Sequence, residues 1–490
     1  MAEIHENATL VPSKVELVEG WMGEQRWYAA KGRRPRLRLL GRWRLDDPEG
    51  EVGIETLIVA DDAGDETVVY QVPLTYRGEA LASADHALVG TTEHSVLGTR
   101  WVYDAPHDPV YAAQLLDLVL GRAVPQSSRR SGEVDPTVAG TPHPSWTRAV
   151  RACASRVLSG EQSNTSVILD CAEDDAATGH RVPLIVKVFR MLQAGDNPDV
   201  VLQSALVEAG CHRVPAVVGS VAGEWEDPGD PAHRLRGHLA FAQEFLPGVE
   251  DAWRVALRAV EAGEDFTDRA RALGEATAEV HAVLASALGT EPTTPESRDV
   301  TLADMRARAA TAEAEAETLA EHADSIEAAI AAAAEVDWPA QQRIHGDYHL
   351  GQVLHSPTRG WVLLDFEGEP LRPLADRSQP DQCLRDVAGM LRSIDYVGGT
   401  WELAHDGSAR RWVRDTQSAF LDGYAAAAPV DPRTRPDLLA AFELDKALYE
   451  VVYEARNRPT WVTIPLHAVD RLTARFATPA SPAPDQEDRT

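Results

Sequence analysis

The sequence predicts an α+β protein of two lobes preceded by a smaller α+β unit, and three observations predict it. Strand-forming segments crowd residues 147–246, the chain turns helical and Ala/Glu-rich after Pro247-Gly248, and a short connection at Gln243–Pro247 joins the two halves. A cleft between two such lobes is where a ligand is expected. At 490 residues the chain is too long for one compact core.

Taken in order, residues 1–92 are the expected cap. They open on a helix-like stretch and continue through the β-forming runs "LRLLGRWRL", "GIETLIVADD" and "ETVVYQVPLTYR", punctuated by Asp/Gly turns. Residues 93–146 form an intermediate segment whose end, Arg122–Trp146, is rich in Pro, Ser, Arg and Gly and reads as a loop. Residues 147–246 return to strands, including "NTSVILDCA", "RVPLIVKVFR" and "GHLAFAQEFL". Residues 247–477 are the helical lobe. Its segment "TLADMRARAATAEAEAETLAEHADSIEAAIAAAAEVDW" reads as helix with solvated charges and with Ala and Leu turned inward. Residues 478–490 have the composition of a disordered tail.

Composition excludes several classes of function. A formal net charge of −30 opposes sequence-independent nucleic-acid binding and anionic membrane surfaces, although a small anionic ligand remains compatible if local cations or a metal neutralise it. Cys153, Cys171, Cys211 and Cys383 lie far apart without metal-ligand spacing, as expected of reduced thiols. The opening lacks a basic region followed by an apolar stretch, and no run reaches the roughly 18 apolar residues of a membrane span. The expectation is a cytoplasmic protein.

The segment "QQRIHGDYHLGQVLHSPTRGWVLLDFEGEP", Gln341–Pro370, concentrates polar and acidic groups. Gln352 follows Asp347 by five positions, and Asp365 lies thirteen further on, at the end of the apolar run "WVLLDF". Protein-kinase catalytic loops place a base, an amide and a second Asp in this order with similar gaps. Phosphoryl transfer needs a carboxylate to take the proton of the attacking hydroxyl and two oxygen ligands to hold Mg²⁺ on the nucleotide phosphates. Asp347 suits the first role, and Gln352 with Asp365 suits the second. His345 and His349 sit four apart and invite a zinc reading, but the third candidate, His355, is poorly spaced. The first two histidines are expected to brace the loop by hydrogen bonds.

A kinase site requires further parts upstream. "PLIVKVFR" supplies Lys187 in an apolar strand, where it would contact the phosphates of ATP. "LSGEQSNTSVIL" offers Gly160, Ser163, Asn164, Thr165 and Ser166 for a turn covering those phosphates. The connector that includes Glu244 and Leu246 would meet the adenine edge. Residues 147–246 then become the nucleotide-binding lobe.

"HGDYHLGQ" and "LLDFEGEP" resemble the motifs of the aminoglycoside phosphotransferase-like kinases, with Gln352 standing where most members have Asn. Within that superfamily "GWMGEQRWYAAKGR" is similar to the opening of the maltokinase N-terminal cap. "RDVAGMLRSIDY" and "LDKALYEVVYEARNRPTWVTIPL" are similar to maltokinase C-terminal helices. The resemblance spans nearly the whole chain. It implies a bilobal fold like that of eukaryotic protein kinases, with Asp347 as base, Gln352 and Asp365 on Mg²⁺, Glu367 near the metal and Lys187 on ATP. It also implies an acidic partner for Lys187 in the helix after "NPDV". Val201 stands at the expected position, so either Glu208, about two turns on, substitutes or the lysine is oriented otherwise.

The last long helix supplies the expected surface for a sugar acceptor. Lys446, Glu450, Tyr453, Glu454 and Asn457 recur at three- and four-residue spacing, with Tyr449 and Arg456 on an adjoining strip and Trp461 just beyond. The bland reading of the same residues is a surface helix laced by Lys–Glu pairs. Asp386 is expected to tie the catalytic loop to a helix, and Arg26, Lys31, Arg33, Arg34 and Arg36 to form a solvated basic turn. The resemblance implies an ATP- and Mg²⁺-dependent sugar kinase. Maltose, giving maltose 1-phosphate, is the first acceptor and glucosamine, phosphorylated on its 6-hydroxyl, the second. An aminoglycoside, a metal-dependent hydrolase and an inactive scaffold follow, and a trehalose-converting enzyme is the expected protein partner.

Overall fold

A computed structural model of the chain describes residues 8–82, 84–128, 132–158, 163–173, 180–369 and 372–477. It divides into two compact units. The first comprises residues 1–210, 214–248 and 372–378; the second comprises 211–213, 249–371 and 379–490.

The first unit holds two antiparallel sheets. Among the described residues the cap sheet has eight strands. Seven run in the spatial order Leu10–Val11, Leu88–His94, Gly98–Asp104, Val68–Arg77, Gly53–Asp61, Leu37–Leu45 and Gln126–Ser127. Met191–Leu192 pairs onto Val68–Arg77 as the eighth. The central strand Gly53–Asp61 is buried on both faces, which is why it reads as a nearly continuous apolar run rather than an alternating one. The second sheet runs Val138–Pro142, Val217–Glu226, Arg234–Glu244, Arg181–Phe189, Asn164–Glu173 and Val150–Val157, which puts the strand of Lys187 in its middle.

The cap boundary expected at residue 92 falls inside the strand Leu88–His94, and the cap sheet takes its next strand from Gly98–Asp104. Arg122–Trp146, expected as a loop, contributes one short strand to each sheet, Gln126–Ser127 and Val138–Pro142. The cap has an apolar cluster of its own, including Val18, Met22, Trp27, Leu57, Tyr70 and Val72, and shares a second one with the rest of the unit. Leu40, Trp43 and Ile58 from its sheet share one apolar cluster with Leu115, Leu116 and Val119 of the helix Pro109–Val119 and with Val167, Leu184 and Trp225 of the second sheet. Each such side chain contributes about 1.5–3 kcal/mol on burial. Gly160 and the expected tail, 478–490, lie outside the described residues.

A buried ion pair joins the two sheets. Arg190, fully buried just past the strand of Lys187, donates to both carboxylate oxygens of Asp104 at 2.7 Å and to Thr165 Oγ1 at 2.8 Å. Its guanidinium lies 4.8 Å from the centre of the Trp27 ring. Three members of the basic string serve local structure: Lys31 donates to Gln25 O, Arg33 pairs with Asp65 and Arg36 donates to Asp62 O.

The second unit is mostly helical. A small sheet of Glu250–Asp251, Val353–Ser356 and Gly360–Leu363 carries the segment singled out in the sequence. Long helices span Thr267–Leu288, Pro295–Glu315, Cys383–Ala404, Arg410–Ala427 and Pro436–Asn457. The Ala/Glu-rich stretch folds as expected, with Leu302, Met305, Ala309 and Ala312 inward on a helix that starts at a Thr294 capping box and Pro295. Among the described residues no helix is long and apolar enough to cross a membrane. Cys171 and Cys211 are buried thiols, while Cys153 is exposed.

Asp104→Asn should cost about 3–5 kcal/mol of stability, because Arg190 would stay buried with its charge unmatched. Urea unfolding of the full chain measures this. A loss below about 1 kcal/mol would show that the pair does not hold the two sheets together.

Candidate active site

The loop Ile344–Gln352 enters and leaves under restraint. Asp386, buried in the helix Cys383–Ala404, accepts the backbone N–H of His345 at 2.8 Å and that of Gly346 at 2.9 Å. Its second partner is His281, whose Nε2 lies 3.0 Å away and whose Nδ1 meets Tyr424 Oη at 2.9 Å. Burial alone would raise the Asp386 carboxyl, but the His281 hydrogen bond and charge, and His345 beyond, hold it below the ordinary carboxylate range. Gly346 has φ +83°, a turn that a side chain would strain, and Gly389 allows the loop to press on the helix: a Cβ there would sit 2.5 Å from Tyr348 O. Leu350 N–H donates to Ser393 Oγ at 3.1 Å.

The two histidines brace the loop as expected. His345 Nε2 lies 2.8 Å from Leu364 O, and its ring packs on Phe366 at 4.6 Å. His349 Nδ1 accepts Gly351 N–H at 3.0 Å. His355 packs edge-on against Trp361 in the small sheet.

Gln352 and Asp365, thirteen residues apart in sequence, meet directly. Gln352 N–H donates to His349 O at 2.9 Å, and Leu364 N–H donates to Gln352 O at 2.9 Å. Gln352 Nε2 then donates to Asp365 Oδ2 at 3.0 Å, which orients the amide so that Oε1 is its remaining acceptor. Asp365 has φ +64°, in the left-handed region that few side chains adopt, a strained geometry held by its surroundings. A carboxylate oxygen of Glu367 lies within 4.8 Å of one from Asp365. One amide oxygen and two neighbouring carboxylates are hard oxygen donors of the kind Mg²⁺ takes.

Asp347 is linked to the long helix Pro436–Asn457. Lys446 Nζ lies 3.0 Å from Asp347 Oδ1 and 3.1 Å from Glu369 Oε1. Burial would lower the Lys446 ammonium, yet Asp347 and Glu369 outweigh it and raise its pKa well above the usual lysine range. Burial would likewise raise Glu369, but Lys446, Arg308 and Arg385 hold its carboxyl down at about 2. Tyr449 lies beside this group, its ring centre 4.6 Å from Lys446 Nζ.

The rest of the expected acceptor strip divides. Glu450 pairs with Arg392 at 2.6 Å, and Glu454, nearly fully buried, is held by Arg458 at 2.6 Å and by Tyr396 Oη at 3.2 Å. Asn457 Nδ2 donates to Tyr453 O within its own helix at 2.8 Å, and Arg456 pairs with Glu315. Tyr453 stays exposed, with Arg458 over its ring. The expected acid-lined surface is therefore largely occupied by the protein's own cations. Spacing puts residues on one helix face, but the neighbouring helices decide which of them are already engaged.

In the first unit, Lys187 Nζ lies 2.8 Å from Asp199 Oδ2, and Asp199 Oδ1 accepts from Gln203 Nε2 at 2.6 Å. The acidic partner of Lys187 is thus Asp199 in the first turn of the helix Pro198–Glu208, and neither position 201 nor Glu208 fills that role. Glu208 lies near His143, at 3.6 Å. The "NPD" start was the missed signal, since Asn197 caps the helix through Asp199 N–H and fixes the carboxylate there. Ser163 precedes the strand Asn164–Glu173, and Asn164 opens it in register with Phe189. Glu244 N–H and Phe245 N–H are bonded to Ala216 O and Pro183 O, so these two donors already serve the sheet, and Leu246 follows them. Sequence reasoning also missed Glu369, Arg308, Arg385 and Asp445, whose pairing crosses between distant helices.

A restrained loop carrying an aspartate, with an amide and a second aspartate brought together behind it, is the arrangement of a phosphotransferase. Residues 201–436 match the phosphotransferase enzyme family, and residues 21–108 match the maltokinase N-terminal cap domain. The two matches together support a capped phosphotransferase with the aminoglycoside phosphotransferase-like kinase fold, of the branch that includes maltokinases and glucosamine kinases. It is similar to a glucosamine kinase of Mycolicibacterium smegmatis, 29% identical over 350 residues, covering 66% of this chain and 80% of the relative. It is also similar to one of Streptacidiphilus jiangxiensis, 31% identical over 260 residues, covering 49% of this chain and spanning 58% of the relative's length. A solved glucosamine kinase in complex with glucosamine, ADP and inorganic phosphate shares the fold, with a TM-score of 0.63 at 22% identity over 94% of this chain and 99% of that one.

The low position of Glu369 sets a pH dependence. A carboxyl depressed by folding stabilises the protein above its unfolded pKa, roughly 4.3 for glutamate, and that contribution is lost as pH falls toward about 2. The Tm difference between the wild type and Glu369→Gln should therefore be largest above about pH 5 and shrink on acidification. A constant difference across that range would remove Glu369 from the ionised network.

Proposed function

We propose that this chain is an ATP- and Mg²⁺-dependent sugar kinase whose acceptor is maltose, phosphorylated on its anomeric oxygen. The observation that carries the kinase reading is the joining of Gln352 to Asp365 behind a loop that Asp386 holds in place with Asp347 on it. Asp347 takes the proton of the attacking hydroxyl as that oxygen bonds to the γ-phosphorus and the bond to ADP breaks. Gln352 and Asp365 would hold Mg²⁺, with Glu367 nearby, and the ion supplies charge neutralisation at the phosphates. Lys187, oriented by Asp199, contributes a cation for the phosphates of ATP.

One observation favours a neutral sugar. Glu450 and Glu454, the acids that would have recognised an amine, are paired with Arg392 and Arg458. Glucosamine is the second reading, favoured by the two curated relatives, both glucosamine kinases.

The test is ADP release from Mg·ATP with maltose, glucosamine, glucose and an aminoglycoside, followed by product NMR. Turnover of maltose with phosphate on the anomeric oxygen is the expected outcome. Turnover of glucosamine alone would move the acceptor and keep the catalytic groups. Asp347→Asn should lower kcat by several orders of magnitude with ATP binding largely kept, whereas wild-type turnover in that variant would remove Asp347 as base. Asp365→Asn should raise the Mg²⁺ concentration needed for half-maximal rate.

A further inference from the structure

The charges around Asp347 include one that comes from an unexpected element. Arg308 lies on the Ala/Glu-rich helix Pro295–Glu315, and its guanidinium pairs with Glu369 at 3.6 Å and with Asp445 at 2.9 Å. It also lies over Tyr449, 5.4 Å from the ring centre, on the side chain that neighbours Lys446. The other groups in this chain of contacts are Lys446, between Asp347 and Glu369, and Arg385, between Asp445 and Asp381. Among the described residues, the four carboxylates of this chain of contacts are linked through these three cations. Lys446 is shared by two acids, and Arg385 by two more, so Arg308 is the group that brings this region close to neutrality.

We infer that Arg308 is a specificity-determining residue: it keeps the surroundings of Asp347 near electroneutral, so that the site prefers a neutral saccharide to one carrying a protonated amine. This rests on the sugar-kinase reading. The discrimination works by withholding negative charge. An acceptor hydroxyl must come to Asp347, and any ammonium on the same small molecule then feels the net charge of the cluster in a partly desolvated setting. Removing Arg308 leaves one further uncompensated negative charge there, which attracts a cation and leaves a neutral sugar unaffected. A unit charge several ångströms away at the effective dielectric of a protein changes the ratio about tenfold once screening is allowed for.

The experiment compares kcat/KM for glucosamine and for maltose in the wild type, Arg308→Gln, Arg308→Lys and Asp445→Asn, on either side of the pKa of the sugar amine. Arg308→Gln should raise the glucosamine-to-maltose ratio about tenfold where the amine is protonated, and the gain should vanish where it is neutral. Arg308→Lys keeps the charge and should keep the wild-type ratio. Asp445→Asn removes a carboxylate and should move the ratio the opposite way, which provides a test even where Arg308→Gln fails to fold. Equal losses for both sugars, a ratio shift that persists with the neutral amine, or Arg308→Lys behaving like Arg308→Gln would each overturn the inference. Wild-type failure to phosphorylate any sugar would instead overturn the sugar-kinase reading, and this inference with it.

Discussion

The geometry of the candidate site depends on one carboxylate. Asp386 is almost fully buried, and its two oxygens take the N–H groups of His345 and Gly346 together with His281. An uncompensated charge in that position would be costly, and two backbone donors plus an imidazole compensate it. In return the loop is pinned within two residues of Asp347. Gly389 completes the restraint, since only the lack of a side chain lets the Tyr348 carbonyl approach the same helix. The loop, the helix Cys383–Ala404 and the helix Thr267–Leu288, which carries His281, behave as one hydrogen-bonded assembly.

A second principle governs the surroundings of Asp347. The chain carries 77 acidic and 47 basic residues, yet around Asp347 the signs are nearly balanced. The excess negative charge stays on solvated faces such as the Ala/Glu-rich helices, while Lys446, Arg308 and Arg385 are concentrated where acids are buried. Desolvation explains this placement. A buried carboxylate requires a partner, and an exposed one is satisfied by water.

In the first unit the cap is built into the sheet of Lys187 rather than appended to it. Arg190 stands three residues after Lys187, is matched by Asp104 of the cap, and touches Thr165 of the neighbouring strand. Met191–Leu192 then continues onto the cap strand Val68–Arg77. The same short run of chain thus carries both Lys187 and the joint between the sheets.

Local sequence was sufficient for what depends on neighbours along the chain. The strand of Lys187, the loop order Asp347, Gln352 and Asp365, the bracing role of His345, and the inward Ala face of the Pro295–Glu315 helix could be read from periodicity and spacing, while the tie that Asp386 makes to the loop was expected alongside the family motifs. Tertiary structure decided whatever depended on a partner distant in sequence. Asp199 rather than residue 201 or Glu208 meets Lys187, because the Asn197 cap sets where the first turn of its helix points. Glu450 and Glu454 are engaged, because Arg392 arrives from another helix and Arg458 folds back from the end of their own. Beside its own apolar cluster the cap shares a second core with the sheet of Lys187, because the helix Pro109–Val119 packs into a cluster fed by both sheets. Periodicity specifies the face on which a side chain lies; the charge or surface that meets that face is set only when the elements pack.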